Sequence, residues 1–196
     1  MTLYDVLGTK KEYLKNKKAM IFDFDGTLVD SMCFWRNRRG DDVSQYGTFA
    51  DYLAVKYSAE VEPKPYAVEL LKLLKENGVP ACIATETPRF LSKGFFDKHY
   101  FDGLTEFYVD CGEIGKSKRE SPAVFVEAAK RLGLPAEECV VVEDSLYSAI
   151  SAKKGGFACI GVYEEENRDH MFELKNICDD YIYNLGKLLP GTGFSF

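Results

Sequence analysis

The chain lacks any uninterrupted apolar run approaching the ~18 residues of a membrane-spanning helix, which excludes a transmembrane helix. It also lacks basic excess. Its 25 Lys and Arg are outnumbered by 31 Asp and Glu, for a formal net charge of −6 at pH 7. A general nucleic-acid binder needs a basic surface to meet the phosphate backbone, so that class is not expected. Histidine is scarce, with only His99 and His170, and a histidine-based zinc centre is therefore not expected. Cys33, Cys82, Cys111, Cys139, Cys159 and Cys178 include no C-x-x-C pair and sit mostly in or beside apolar segments. They read as small buried hydrophobes rather than as disulfides or metal ligands. Any metal is then a hard cation held by oxygen. The lysine-rich start (Lys10, Lys11, Lys15, Lys17, Lys18) is followed by only a short apolar run before Asp23. That run is too short for the apolar region of a secretory signal, so a cytoplasmic location is the expectation. Internal repeats and low-complexity tracts are absent.

What is present is an ordinary globular composition, 46% apolar and 29% charged over 196 residues, enough for one buried core and a small appendage. Short apolar runs at 19–24, 80–85, 106–110, 140–143 and 158–162 read as strands. Between them, 66–77 carries Val68, Leu70, Leu71, Leu73 and Leu74 on one side and stops at Gly78; 122–132 closes at Gly133; and 145–154 ends in Gly155-Gly156. These are helical patterns with helical stop signals. The alternation predicts an α/β fold with a mainly parallel sheet covered by helices on both faces. Ligands of such sheets bind outside the carboxyl ends of the strands. Residues 31–64 interrupt the rhythm with a polar, aromatic-rich segment read as two short helices, ending in Glu62-Pro63-Lys64-Pro65, a stiff linker by composition. A peripheral helix is expected over 4–17. The tail is expected to add a helix near 168–174, a short strand at 181–182 and a final turn.

The run Ile21-Phe22-Asp23-Phe24-Asp25-Gly26-Thr27-Leu28-Val29-Asp30 carries the most chemistry. Side chains two apart on an extended chain project to the same side, so Asp23 and Asp25 leave the strand end together. Carboxylates so close repel unless a cation or a shared proton intervenes. Gly26 lets the backbone turn sharply or approach a ligand closely. A strand ending in a polar Asp-Gly turn is the bland alternative.

This order of residues resembles the signature of the haloacid dehalogenase-like hydrolase superfamily, in its β-phosphoglucomutase and phosphatase-like branch, and later segments match in the same order. The resemblance implies a Rossmann-like three-layer core, residues 1–30 and 65–196, with a short helical cap, residues 31–64, inserted after the first strand. At about half the usual length, such a cap leaves the site more open to water. The resemblance further implies an Asp23 nucleophile forming an aspartyl-phosphate. Asp25 acts as acid and then base, its backbone carbonyl helping to hold Mg²⁺. Gly26 and Thr27 belong to the phosphate-binding loop, as does Thr85, whose hydroxyl holds phosphoryl oxygens. The plainer reading of Thr85 is a helix N-cap, which is compatible with that role. Glu86 departs from the Asn often found there; it is expected to face the cap, favouring an amine on the substrate or pairing with a cap arginine. A lysine that neutralises phosphate charge falls in Gly115–Pro122, with Lys118 favoured over Lys116 and Arg119, which would otherwise be a solvated basic loop. Glu143 and Asp144 are implied as metal ligands, with Asp23 and Asp25. Arg36, Arg38 and Arg39 read as a solvated helix face that could also clamp an anionic substrate tail. Trp35 reads as cap packing, and Asp30 and Ser31 as the hinge into the cap.

The activity so implied is hydrolysis of a small phosphorylated metabolite by a monomer or weak homodimer. A sugar phosphomutase is the alternative, disfavoured by the short cap and by Thr27 after Gly26. A non-catalytic binding protein is a third reading, opposed by the intact Asp23 and Asp25.

Overall fold

Val140, Val141 and Val142 are all buried, as is every residue of the strand that holds them, because that strand lies between helices on both faces. The computed structural model describes residues 1–191; positions 192–196 of the expected core segment lie outside the described residues. The strands are β1 (Ala19–Phe22), β2 (Ala81–Thr85), β3 (Tyr108–Asp110), β4 (Cys139–Glu143), β5 (Ala158–Val162) and β6 (Asp180–Ile182). They form one six-stranded sheet in the order β3-β2-β1-β4-β5-β6, parallel at every pairing. Alternate residues serve opposite faces. Met20, Phe22, Ile83, Val140, Val142 and Ile160 pack with Leu70, Leu71 and Leu74 of helix Ala67–Glu76. Ala19, Ile21, Cys82, Ala84, Val141 and Cys159 pack instead with Val124, Phe125 and Ala128 of helix Ala123–Leu132 and Ala149 and Ala152 of helix Leu146–Lys154. The result is a three-layer, Rossmann-like α/β fold. Its chain order reverses at β1, which has β2 on one side and β4 on the other, and a crevice opens there at the carboxyl ends.

The expected strand 158–162 is observed with those bounds. The expected strand 19–24 stops at Phe22. Asp23 still donates its N–H to Val142 at 2.9 Å, and the chain then turns at Gly26, φ +79°. The N-terminal helix over 4–17 is not formed. Two short turns, Leu3–Val6 and Glu12–Leu14, replace it. The segment doubles back, with the Leu3 N–H bonded to Lys17 O at 2.8 Å, and Leu3, Val6, Leu7 and Leu14 are buried in the core rather than peripheral. In the tail, a 3₁₀ segment Glu165–His170 runs into helix Met171–Ile177, β6 joins the sheet edge, and Leu185–Leu188 forms the last described turn.

Helix Arg89–His99 has no counterpart among the sequence-predicted elements. Its mid-helix glycine weakens the helical pattern, yet the fold requires that glycine. A Cβ on Gly94 would lie 2.6 Å from the Ser58 Cβ, so only glycine lets helix Phe49–Ala59 cross this closely. The inserted segment 31–64 contains helix Met32–Trp35, a 3₁₀ turn Val43–Tyr46 and helix Phe49–Ala59. The last is started by a capping box in which Thr48 and Asp51 bond reciprocally. The segment's entry and exit are tied together by Asp30 N–H to Glu62 O at 2.9 Å and Lys64 N–H to Leu28 O at 2.8 Å. Its buried Phe34, Tyr52, Leu53, Tyr57 and Val61 continue the cluster containing Phe24, Phe95, Phe96 and Phe101. The insertion therefore shares the core of the sheet rather than enclosing its own.

Candidate active site

A cavity of about 360 Å³ lies over the carboxyl ends of β1, β2 and β4, with Asp23, Asp25, Thr85, Glu86, Lys118 and Asp144 in its walls. Thr85 is the last residue of β2, and the others come from segments that follow β1, β2 and β4 or, for Lys118, precede helix Ala123–Leu132, where side chains can leave the sheet without disturbing the ladder. Gly26, Thr27 and Glu143 form the layer behind, and Thr27 and Glu143 are fully buried.

The carboxylates of Asp23, Glu143 and Asp144 each present an oxygen within 4.8 Å of the others. Adjacent residues of a strand point oppositely, but β4 ends at Glu143, and the following turn brings Asp144 round to the same side. Lys118 Nζ lies 2.6 Å from Asp23 Oδ1 and 2.7 Å from Glu143 Oε1. Of the basic candidates in that loop, Lys118 is the buried one, whereas Lys116 and Arg119 are exposed, and the Arg119 guanidinium lies 4.0 Å from the Tyr147 ring centre. Burial alone would lower the Lys118 ammonium, but Asp23 and Glu143 outweigh it and hold it above its usual value.

Neighbouring groups aim the acids. Glu143 Oε2 accepts the Ser145 N–H at 3.0 Å. Asp144 accepts the Thr27 hydroxyl at 3.2 Å and the Asn167 amide at 2.6 Å. Gly26 fits against this carboxylate, for a Cβ there would come within 2.5 Å of Asp144 Oδ2. Burial, then the Asp23 charge, push Glu143 up to about 7. Burial followed by the charges of Glu143 and Asp23 hold Asp144 well above the ordinary carboxylate range. Buried acids that resist ionisation together form a site a hard divalent cation relieves, and the all-oxygen donor set fits Mg²⁺.

Asp25 faces a different group of partners. Its Oδ1 accepts from Ser31 Oγ at 2.5 Å, from Trp35 Nε1 at 3.3 Å and from the Tyr57 hydroxyl, and its Oδ2 is bonded to the Thr87 hydroxyl. Its side chain shares the cavity with Asp23 and Asp144 but is not among the carboxylates grouped closely enough to share one ion. Burial and then the Asp23 charge raise its pKa from the usual aspartate value, against the pull of the Ser31, Thr87 and Tyr57 bonds. Asp25 is 9% exposed, nearly as buried as its neighbours Asp23 and Asp144.

Thr85 closes β2, and its hydroxyl accepts the Thr87 N–H at 3.2 Å. It is not a helix N-cap, because the following helix begins at Arg89, after Pro88. Glu86 shares the cavity wall with Met32, Trp35 and Arg36 of the insertion, but among the described residues it makes no ion pair with an arginine there. Its carboxylate accepts the backbone N–H of Lys118 and so braces the lysine loop. Of the insertion's arginines, Arg36 lines the cavity and bonds Asn167 at 3.1 Å, whereas Arg38 pairs with Glu166 at 2.8 Å and Arg39 with Glu60 at 2.7 Å. Tyr57, Thr87 and Asn167 contact the site and carried no signal in the sequence, since the acids they meet lie 32, 62 and 23 positions away.

A sequence profile described as haloacid dehalogenase-like hydrolase matches residues 38–156, more than half of the chain. The match includes Thr85, Lys118, Glu143 and Asp144 and begins after the Asp23–Asp25 loop. A haloacid dehalogenase-like hydrolase domain-containing protein of Arabidopsis thaliana is 28% identical over 149 residues, 74% of this chain and 43% of the relative, so the chain spans less than half of that protein's length. Hexitol phosphatase A of Escherichia coli is 26% identical over 182 residues, covering 74% of this chain and 82% of the relative. In three dimensions, CbbY of Rhodobacter sphaeroides, solved in complex with xylulose-(1,5)bisphosphate, superposes with a TM-score of 0.71 over 88% of this chain and 99% of that one, at 18% identity. No helix among the described residues is long and apolar enough to cross a membrane. By its sequence match and its fold, the chain belongs to the haloacid dehalogenase-like hydrolase family.

Proposed function

We propose that the chain is a Mg²⁺-dependent phosphatase that hydrolyses a small phosphate monoester through an aspartyl-phosphate on Asp23. The observation that carries this reading is the Lys118 ammonium held between Asp23 and Glu143, with Asp144 in the same acidic group. A nucleophilic carboxylate, a fixed cation and a cation-binding acid cluster meet at one cavity.

Asp23 attacks phosphorus, forming one P–O bond while the bond to the leaving oxygen breaks. Asp25 gives its proton to that oxygen, a transfer that contributes about 10²–10⁴-fold in rate. It then takes a proton from the water that attacks phosphorus and releases Asp23. Lys118 balances the charge of Asp23 and the phosphoryl oxygens, and Thr85 with the amides of its loop binds those oxygens. Asp23 and Asp144, with Glu143, are the residues to hold Mg²⁺, which supplies further neutralisation of phosphoryl charge. Residues 31–64 act as the cap over this site, and the hexitol phosphatase relative points to a sugar or polyol phosphate as substrate.

Turnover of p-nitrophenyl phosphate and of a panel of sugar, polyol and nucleotide monophosphates tests this. Release of phosphate abolished by EDTA, restored by Mg²⁺ and lost in Asp23→Asn is the expected result. Turnover that survives Asp23→Asn contradicts it, as does exchange of hexose 1- and 6-phosphates without phosphate release.

A further inference from the structure

We propose that Tyr57, assisted by Trp35, is the positioning residue for the Asp25 carboxyl, so that the inserted segment aims the proton-transfer group from behind. The inference rests on the phosphatase reading and deepens it.

Tyr57 is 1% exposed. Its ring is stacked on Phe24, with centroids 6.0 Å apart, and its hydroxyl donates to Asp25 Oδ1. The direction of that bond is fixed by Trp35. An indole N–H can only donate, and Trp35 Nε1 lies 2.8 Å from the Tyr57 oxygen. The Tyr57 oxygen therefore accepts from Trp35, and its own proton is directed to Asp25. Oδ1 also receives Ser31 at 2.5 Å and the indole at 3.3 Å. An oxygen filled by donors has no lone pair left for a proton. The proton that Asp25 transfers is accordingly carried by Oδ2, the oxygen shared with Thr87.

The anchor is rigid because helix Phe49–Ala59, which bears Tyr57, crosses helix Arg89–His99 at the Gly94–Ser58 contact. Asp25 itself lies beyond β1, after the strand has ended at Phe22. Without the Tyr57 hydroxyl, Oδ1 loses the donor anchored in helix Phe49–Ala59 and the carboxyl is held by Ser31, Trp35 and Thr87 alone, so the Oδ2 proton is aimed less firmly at the leaving oxygen. A displacement of about 1 Å at a reacting group can cost on the order of 10²-fold in rate.

Two esters separate positioning from a merely structural role. An alkoxide leaves only with a proton, whereas nitrophenolate leaves without one. The ratio kcat/KM reports the steps up to leaving-group departure and omits the later attack of water, which both esters share. In Tyr57→Phe, which keeps the stacked ring, kcat/KM for the alkyl phosphate that wild type hydrolyses best is expected to fall about tenfold or more beyond any fall for p-nitrophenyl phosphate. Trp35→Phe is expected to shift the ratio in the same direction by less. Equal losses on both esters, or no loss on either, overturn the proposal. If Tyr57→Phe does not fold, Trp35→Phe decides by the same comparison. A wild-type protein that turns over neither ester removes the phosphatase reading and this role with it; one that hydrolyses both, with an unmoved ratio in the variants, removes the positioning role alone.

Discussion

The front of the pocket, where Asp23, Lys118, Glu143 and Asp144 meet, is built from turns at the ends of neighbouring strands, while the back, behind Asp25, is built by the inserted segment through Ser31, Trp35 and Tyr57. The front is electrostatic: buried charges of both signs hold one another, and removing one leaves the rest uncompensated. The back is a hydrogen-bond socket in an aromatic wall, neutral on the protein side and rigid through packing. A small insertion can therefore supply part of a site's wall, provided it shares the core of the sheet, as Phe34, Tyr52 and Tyr57 do.

Replacements at the front should have the larger effects. Asp23→Asn is expected to lower turnover by on the order of 10⁴-fold or more, with the fold retained by circular dichroism. Lys118→Met removes the cation from a buried pair, which typically costs about 3–5 kcal/mol of stability. It is expected to lower turnover by about 10²–10³-fold, and Mg²⁺ should recover part of the stability in a thermal melt. If Lys118→Met melts at the wild-type temperature without Mg²⁺, the front is not held together by charge. Between the two walls stands Asn167, which reaches Asp144 from the 3₁₀ segment Glu165–His170 after β5 and also meets Arg36. Asn167→Ala should weaken Mg²⁺ by about 10–100-fold, read from the metal dependence of turnover and from titration calorimetry.

Acidity gives a further distinction. Glu143 ionises near 4.5 in an unconstrained chain and near 7 in the folded one. Between those values the folded protein keeps a proton that the unfolded chain has released. Stability in EDTA should therefore fall as pH rises through that window, by at most about 1.4 kcal/mol per pH unit. Mg²⁺, which binds the ionised acids, should flatten or reverse the trend. Stability in EDTA that rises with pH across the window would contradict this. The smallest effect is expected at the rim: Arg38 is exposed beside Glu166, and Arg38→Ala should change stability by about 1 kcal/mol or less.

The same division explains what the sequence disclosed. Asp23, Asp25, Glu143 and Asp144 stand at the ends of continuous apolar runs, where a local pattern marks both the strand and the turn that follows, and the alternation of such runs with helical stretches was enough to anticipate the parallel, three-layer fold. Tyr57, Thr87 and Asn167 meet their acids only after the chain has folded, and nothing local distinguishes Tyr57 from the insertion's other tyrosines. Helix Arg89–His99 was hidden by Gly94, whose reason lies in Ser58 on another helix. The 4–17 segment misled because its buried leucines are spaced for a helix but are used by a chain that doubles back.

The stereochemical course at phosphorus tests the central claim most directly. With a phosphorothioate monoester made chiral at phosphorus by one oxygen isotope and hydrolysed in water carrying another, capture by Asp23 followed by attack of water makes two in-line displacements and returns inorganic thiophosphate of retained configuration. Inversion would mean that water attacks the ester in one step, and that Asp23 never holds the phosphoryl group.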